Sequence, residues 1–132
     1  MKVYIDSNIP MYVAGREHSC REPSRRFLER VRASEVEGCT STEVLQEILH
    51  RYVAIERRGA IQPAFDALLG IVDEVYPVEL ADVERAKSIV LGGSHVSPRD
   101  AIHLAVMERR RVSRILSLAT GFDGHPGITR LG

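Results

Sequence analysis

Short apolar runs alternate with longer amphipathic segments along the 132-residue chain, and this alternation most constrains its fold. The apolar runs predict strands at residues 2–5, 36–40, 74–78, 113–118 and 128–131. The segments between them predict helices at residues 22–33, 62–72, 81–91 and 98–110, with another beginning near Pro10. Strands that alternate with helices form a parallel sheet covered on both faces. We therefore predict an α/β fold with a central parallel sheet.

The helix after the second predicted strand has both a start and a stop signal. Thr40 and Glu43 have the spacing of a capping box, in which each side chain bonds a free backbone N–H of the first turn. Gly59 is the residue type that commonly follows a helix end. We expect this helix to run from the capping box to about Arg58.

Length and composition favour one domain spanning residues 1–132, with a cytoplasmic location. No apolar run approaches the ~20 residues that a membrane span needs. Asp6 interrupts the first apolar stretch, so no signal peptide is predicted there. Cys20 and Cys39 are too few for a disulfide framework, and their spacing with His18 matches no common zinc site. We expect reduced thiols.

The formal net charge is zero, but the cations are unevenly distributed. Nearly all are Arg, whose planar fork suits phosphate and carboxylate groups. They cluster within residues 16–32 and again within residues 109–114. Each cluster is interpreted either as a phosphate-binding patch or as a solvated helix face.

Carboxylates stand at three positions where a carboxylate is awkward. Asp6 ends the first strand, Glu47 lies at the edge of an apolar helix, and Asp100 stands in the first turn of a helix that is apolar nearly all round. Buried acids are destabilising unless a positive group pairs with them, and a divalent cation held by oxygen ligands is one remedy. Ligands bind beyond the carboxyl ends of parallel strands, where Asp6 lies. The set predicts a metal-dependent enzyme that cuts phosphodiesters.

Each polar residue at these positions also has a purely structural interpretation. Asp6 fits a turn, and Asn8 fits the N-cap of the next helix. Glu47 has Arg51 four residues on, the spacing of an ordinary helix-surface ion pair. Asp100 follows Ser97 in a capping-box arrangement, where the helix dipole favours a carboxylate. The functional interpretation therefore rests on the combination of the acids, which can converge at one rim of the sheet.

At these motifs the chain resembles the PIN-domain nucleases and, within them, the VapC toxins of toxin–antitoxin pairs. The likeness runs through Val-Tyr-Ile-Asp-Ser-Asn, Glu-Val-Leu-Gln-Glu-Ile-Leu-His-Arg-Tyr, Ser-Pro-Arg-Asp-Ala-Ile-His-Leu-Ala and the ending Gly-Phe-Asp-Gly-His-Pro-Gly-Ile-Thr-Arg-Leu. The resemblance implies a PIN-like three-layer fold, a Mg²⁺ or Mn²⁺ site, RNA as the substrate and a homodimer. It also implies a VapB-type antitoxin that plugs the active site and represses the operon.

By position, the resemblance implies that Asp6 and Asp100 bind the metal directly. Glu47 is implied as the third acid, which helps to hold the metal or its water, and Asn8 and Ser117 as supporting polar groups. The chain departs from the family at Ala119, where a fourth acid is common. Asp123 is a possible replacement for it.

The resemblance favours a metal-dependent endoribonuclease that acts as the toxin of a VapBC-type pair. The alternative is a catalytically weak or inactive PIN-fold protein that binds RNA or an antitoxin, because Ala119 empties part of the site. An aspartyl-phosphate enzyme or receiver domain also places an Asp after strand one. That class is disfavoured, because Asn8 stands where a second Asp is needed and the only Lys residues are Lys2 and Lys87.

Overall fold

A parallel sheet forms the centre of the computed structural model, which describes residues 1–14, 25–27, 29–30, 33, 36–93 and 95–132. Within these residues the sheet has five strands in the order β3-β2-β1-β4-β5, and every neighbouring pair is parallel. The strands are β1 (Lys2–Ile5), β2 (Glu37–Ser41), β3 (Val72–Tyr76), β4 (Arg114–Leu116) and β5 (Thr129–Leu131). The prediction of an α/β fold with a parallel sheet is confirmed.

Helices lie on both faces of this sheet. They are α1 (Asn8–Ala14), α2 (Thr42–Ala54), α3 (Ile61–Leu69), α4 (Leu80–Leu91) and α5 (Pro98–Arg110), and short 3₁₀ turns occupy Arg58–Ala60 and Thr120–Phe122. In β1, the successive residues Val3, Tyr4 and Ile5 are all fully buried. Because successive side chains of a strand point to opposite faces, both faces are covered. Helix α3 packs against α1 and α2, and α4 packs against α5.

The strand order brings three strand ends to one rim. In β1, Tyr4 is paired with Cys39 of β2, and Ile5 is paired with Leu116 of β4. The backbone N–H of Asp6 donates to the carbonyl of Leu116 over 3.1 Å, which continues the ladder by one residue. The residues that follow β1, β2 and β4 therefore meet at the carboxyl edge of the sheet.

Helix α5 has the predicted bounds and the predicted burial. Its N-cap is Ser97, whose Oγ accepts a hydrogen bond from the Asp100 N–H over 3.2 Å, and Pro98 occupies the first position. It ends at Arg111, which adopts a left-handed conformation with φ of 58°. Its interior side chains are buried, namely Ala101, His103, Leu104, Ala105, Val106 and Met107. The start of α5, where Asp100 stands, therefore lies beside the carboxyl edge of the sheet.

The predicted capping box of Thr40 and Glu43 is wrong. Helix α2 begins one residue later, with Ser41 at its N-cap and no side-chain cap hydrogen bond. The hydroxyl of Thr40 instead donates to the Ile5 carbonyl over 3.0 Å, so the sheet uses the group that was expected to cap the helix. The helix also ends earlier than expected, at Ala54, and Glu56 then takes a positive φ of 56°.

Two further boundaries differ from the predictions. Helix α3 ends at Leu69, and β3 runs from Val72 to Tyr76, earlier than the predicted strand at 74–78. Val72 was predicted to end the helix, but it pairs with Gly38 of β2 and is therefore the first residue of β3.

Parts of the predicted Arg-rich helix at 22–33 lie outside the described residues, as do His18 and Cys20, while residues 25–27 and 29–30 are helical. Cys39 is a free thiol in β2, and burial raises its pKa to about 11. A neutral buried thiol is a poor metal ligand. Among the described residues, none of the helices combines the length and the apolar character that a membrane span requires.

Candidate active site

Asp6 is buried at the carboxyl end of β1, with 3% of its surface exposed. Its Oδ2 atom accepts hydrogen bonds from Ser117 Oγ at 2.6 Å and from Asn8 Nδ2 at 3.4 Å. Its Oδ1 atom accepts from the Ser7 backbone N–H at 2.7 Å. A carboxylate held in this way has a fixed orientation.

Asn8 and Ser117 form the polar support around Asp6 and also bind each other. Asn8 Nδ2 donates to Ser117 Oγ over 3.2 Å, and Asn8 Oδ1 accepts from the Leu118 N–H over 3.3 Å. Asn8 is the first residue of α1, so it is not the N-cap of that helix. These bonds connect the turn after β1 to the residues that follow β4.

Glu47 lies on the inner side of α2, where it is 6% exposed. Its Oε2 atom accepts from Ser7 Oγ over 2.9 Å, and its Oε1 atom is hydrogen-bonded to His103 Nε2. The surface ion pair with Arg51 is not found within the described residues. Ser7 and His103 therefore bring the acid of α2 to the acid of β1.

His103 occupies the centre of the group and is fully buried. Besides Glu47, its Nε2 atom lies 3.8 Å from Asp6 Oδ1. Its Nδ1 atom is hydrogen-bonded to the Tyr4 hydroxyl at 2.7 Å, and that hydroxyl contacts Ser41 Oγ at 2.6 Å. Asp6, Glu47 and His103 each offer one ligand atom within 4.8 Å of the others, a separation that suits a metal ion.

Asp100 is half-buried at the start of α5. Burial, followed by the charge of Asp6, raises the pKa of Asp100, and Glu47 acts in the same direction. The capping box is half formed, because Ser97 accepts from the Asp100 N–H. The charges of Asp6 and Glu47 therefore disfavour the ionised form of Asp100.

Glu47 and His103 shift the pKa of each other in the direction opposite to the effect of burial. Burial alone would raise the pKa of Glu47, but the hydrogen bonds and charge of His103, with the Ser7 bond, lower it. Burial alone would lower the pKa of His103, but its hydrogen bond to Glu47 and the charges of Asp6, Glu47 and Asp100 raise it. The hydrogen bond between Glu47 and His103 therefore favours the charged form of each side chain.

A further acid, Glu43, lies on the edge of this group. It is half-buried, and burial raises its pKa, with Glu47 acting in the same direction. The charges of His103 and Arg99 lower it. Glu43 is thus near the cluster, although the sequence pattern assigned it only to a helix cap.

Ala119 and Asp123 lie in the segment after β4. The Ala119 N–H donates to Ser117 Oγ over 3.0 Å. Both carboxylate oxygens of Asp123 accept hydrogen bonds from Arg130, at 2.7 and 3.2 Å, and the side chain is 52% exposed. Arg130 also donates to the Ser117 carbonyl over 3.1 Å. Asp123 is therefore engaged by a guanidinium on the surface.

Sequence reasoning did not identify His103, Ser7 or Tyr4 as site residues. The signal for His103 was available, because a lone His interrupts the apolar helix three residues after Asp100, on the same helical face. Ser7 follows Asp6 directly. Nothing in the sequence marked Tyr4 as a site residue, because it lies within the apolar run of β1 as a core residue would.

The second Arg cluster lies at the opposite end of α5 from Asp100. Arg109 binds the buried Asp82 through two hydrogen bonds of 2.7 and 2.9 Å. The Arg110 guanidinium stacks 4.8 Å from the centre of the Tyr76 ring. At a rise of about 1.5 Å per residue, the cluster begins roughly 13 Å along the helix from Asp100. Arg109 thus connects α5 to α4, and Arg110 connects α5 to β3.

Comparisons with known proteins agree with this architecture. Residues 3–125 match the family model for the PIN domain. Ribonuclease VapC13 of Mycobacterium tuberculosis is 50% identical to this chain over 129 residues, which are 98% of each chain. The crystal structure of VapC20 from M. tuberculosis, a sarcin-ricin loop cleaving toxin, has a TM-score of 0.71 at 21% identity and covers 92% of this chain and 90% of its own. VapBC2 from Rickettsia felis, bound to a DNA fragment from its promoter, has a TM-score of 0.72 at 12% identity, with 99% and 98% covered.

Proposed function

The chain belongs to the PIN-domain family and, within it, to the VapC ribonucleases, and we propose that it is a metal-dependent endoribonuclease acting as the toxin of a VapBC-type pair. One observation carries the proposal. Buried Asp6 and Glu47 are linked through Ser7 and His103, and the charge of Asp6 reaches Asp100. Asp6 and Glu47 belong to one buried cluster, and their charges raise the pKa of Asp100, so a bound cation would relieve the repulsion among the three acids.

The proposed roles follow the chemistry of the donors. Asp6 and Asp100 bind Mg²⁺ or Mn²⁺ directly, and Glu47 is the third acid, which holds the metal or its water. The charge of Asp6 raises the pKa of Asp100, and carboxylate oxygens that repel each other fit a hard cation. When bound, such a cation would lower the pKa of a water molecule and offset the charge on the scissile phosphate.

The remaining residues of the site orient these acids. Ser117 and Asn8 hold the Oδ2 side of Asp6, and Ser7 holds Asp6 and Glu47 together. His103 is fully buried and has a raised pKa, so its protonated form would offset the charge of the acids before a cation binds. The carboxylates of Asp6, Glu47 and Asp100, which we call the acid rim, would repel RNA until a cation is present.

A VapB-type antitoxin and a second copy of this chain are the proposed protein partners, and the proposed location is cytoplasmic. The structure of the Rickettsia felis VapBC2 complex supports the antitoxin through fold similarity. Apolar side chains are also exposed on α2, just after its end and on α4, where they suit protein contacts. They include Leu49 (45% exposed), Ile55 (57%), Leu80 (77%) and Leu91 (77%).

A second candidate function is a PIN-fold protein that binds RNA or an antitoxin without efficient cleavage. Ala119 favours it, because its side chain offers no ligand atom where the family commonly has an acid. Asp123 offers no evident substitute, since Arg130 binds both of its carboxylate oxygens. Under this alternative the acid rim would bind a cation too weakly for turnover.

Incubating the purified protein with bacterial total RNA, in Mn²⁺ and in chelator, tests the proposal. Discrete fragments in Mn²⁺ that are absent in chelator are expected, and an Asp100→Asn variant should give none. Intact RNA under both conditions, together with antitoxin or RNA binding, would establish the second candidate instead. Growth arrest on expression, relieved by the gene immediately upstream, tests the toxin role.

A further inference from the structure

A cleft of about 460 Å³ opens beside the acid rim and takes no part in the proposed metal site. One wall is the carboxyl end of α4 with the loop that follows it, including Arg85, Ser88 and His95. The other wall is the segment from Gly121 to Pro126, including His125. Its volume lies within the range of about 300–1,000 Å³ that is typical of small-ligand sites.

Gly121 places this cleft next to Asp100. A Cβ atom on Gly121 would lie 3.4 Å from Asp100 Oδ2, so the glycine backbone separates the cleft from the acid. Phe122 anchors this wall, because it is fully buried and its ring centroid lies 6.4 Å from that of His103. An RNA strand whose scissile phosphate is at the acids would therefore have its neighbouring nucleotide at the cleft.

The charges around the cleft are largely compensated. Arg85 Nε donates to Glu108 over 3.1 Å, and Asp123 is bound by Arg130. Strong attraction for a lone anion is therefore absent among the described lining residues. Asp123 likewise offers little repulsion to RNA, because its charge is paired.

Among the described lining residues, His95 and His125 have imidazole rings that are available to stack on a planar ligand. His95 is exposed and His125 is half-buried, and within the described residues neither imidazole has a recorded hydrogen bond or ion pair. Unpaired RNA bases are recognised by stacking on aromatic or histidine rings and by hydrogen bonds to their edges. The chain has no Trp and few other aromatic residues, so these rings are its available planar surface at this place.

The glycines of the cleft leave room for such a ligand. Gly93 and Gly124 take positive φ values of 82° and 79°, and a Cβ atom at either would meet nothing within 4 Å. Their backbone therefore forms open walls without side chains. A flat base could approach the imidazoles without displacing bulky groups.

We infer that this cleft is a base-binding subsite, which receives the unpaired nucleobase next to the scissile phosphate between His95 and His125. The inference rests on the proposed function for the identity of the strand, and it assigns base preference to these residues. The acids cut, and the cleft selects which base lies beside the cut.

Cleavage of a randomised single-stranded RNA pool in Mn²⁺, with sequencing of the products, tests this assignment. The matched variants are His95→Ala with His125→Ala in one chain, and His50→Ala, which removes an exposed histidine from α2. The double variant should lose the base preference at one position flanking the cut, with kcat/KM about tenfold lower, the order expected for losing one stacked base. The His50→Ala protein should match wild type. An unchanged preference in the double variant overturns the inference.

A binding measurement separates failure of the subsite from failure of the proposed function. Adenosine, guanosine, cytidine and uridine monophosphates are titrated singly into the wild-type protein, and the histidine resonances are followed by NMR. At least one nucleotide should shift His95 and His125 but not His50. No shift with any nucleotide, or the same shifts with inorganic phosphate alone, overturns the base assignment. Shifts in a protein that cleaves no RNA keep the subsite and reject the nuclease.

Discussion

The Nε2 atom of His103 is hydrogen-bonded to Glu47 Oε1, and both side chains are buried. This bond joins the middle of α5 to the inner side of α2 and lies beside Asp6, whose Oδ1 atom is 3.8 Å from the same nitrogen. The pKa of His103 is raised and that of Glu47 is lowered, so each side chain favours the charged form of the other.

Replacing His103 with Ala is expected to destabilise the protein strongly. The change leaves Glu47 buried without its positive partner, and breaking a buried pair in this way typically costs about 3–5 kcal/mol. Urea unfolding of the variant and of wild type, without divalent metal, measures the difference. His50→Ala, an exposed histidine, is the control and should lie within about 0.5 kcal/mol of wild type.

Added Mg²⁺ should rescue this variant more than it stabilises wild type. With the imidazolium gone, a bound cation is the remaining compensation for the acids, and ligands that bind only the folded state raise Tm. The Tm increase on Mg²⁺ addition should be larger for His103→Ala. Loss of any Mg²⁺ response would instead show that His103 is itself a metal ligand.

The His103–Glu47 pair also predicts how stability depends on pH. His103 has a pKa above its ordinary 6.5, so its contribution is fully present below 6.5 and is lost as pH rises through the raised value. Glu47 has a pKa below its ordinary 4.5, so its contribution is present above 4.5 and is lost as pH falls. Without metal, the free energy of unfolding of wild type should exceed that of His103→Ala by the largest amount between pH 4.5 and 6.5. A difference that does not change with pH, from acid to alkaline, would contradict this account.

The fold could be predicted from local patterns, whereas much of the site could not. The alternation of strands and helices indicated the parallel sheet, and Ser97 with Pro98 marked the start of α5 correctly. The Thr40 cap failed because the same hydroxyl bonds to the Ile5 carbonyl in the sheet, a long-range contact that no local pattern contains. The role of Tyr4 was hidden for the same reason, since its partners Ser41 and His103 are distant in sequence.

Replacing Arg109 with Ala should lower stability while leaving RNA cleavage unchanged. Arg109 satisfies the buried Asp82, whose pKa burial would raise but the Arg109 bonds lower, and an unsatisfied buried acceptor costs about 1–3 kcal/mol. Urea unfolding and RNA cleavage are measured in parallel. Arg114→Ala, an exposed neighbour in the same cluster, should change neither quantity. A cleavage defect in Arg109→Ala at a temperature where it is fully folded would make the cluster an RNA contact.

Replacing Ala119 with Asp is expected to tighten Mg²⁺ binding. It restores an acid near Ser117, and an added outer-shell partner is worth roughly tenfold or more in metal affinity. Calorimetric titration compares this variant with wild type and with Asp123→Ala. Because Arg130 already binds Asp123, Asp123→Ala should leave metal affinity unchanged. A loss of affinity in Asp123→Ala, with no gain in Ala119→Asp, would show that Asp123 is the fourth acid.

Cleavage by single-acid variants tests whether Asp6, Glu47 and Asp100 form the metal site. Asp6→Asn, Glu47→Gln and Asp100→Asn are assayed on RNA in saturating Mn²⁺, with circular dichroism to confirm folding. Asp73→Asn, which changes an exposed acid of β3, is the matched control. We expect each of the three variants to lose more than about 100-fold in cleavage rate, beyond the usual effect of outer-shell groups, while the control retains wild-type cleavage. Near-wild-type cleavage by any of the three would contradict the assignment of that acid to the metal site.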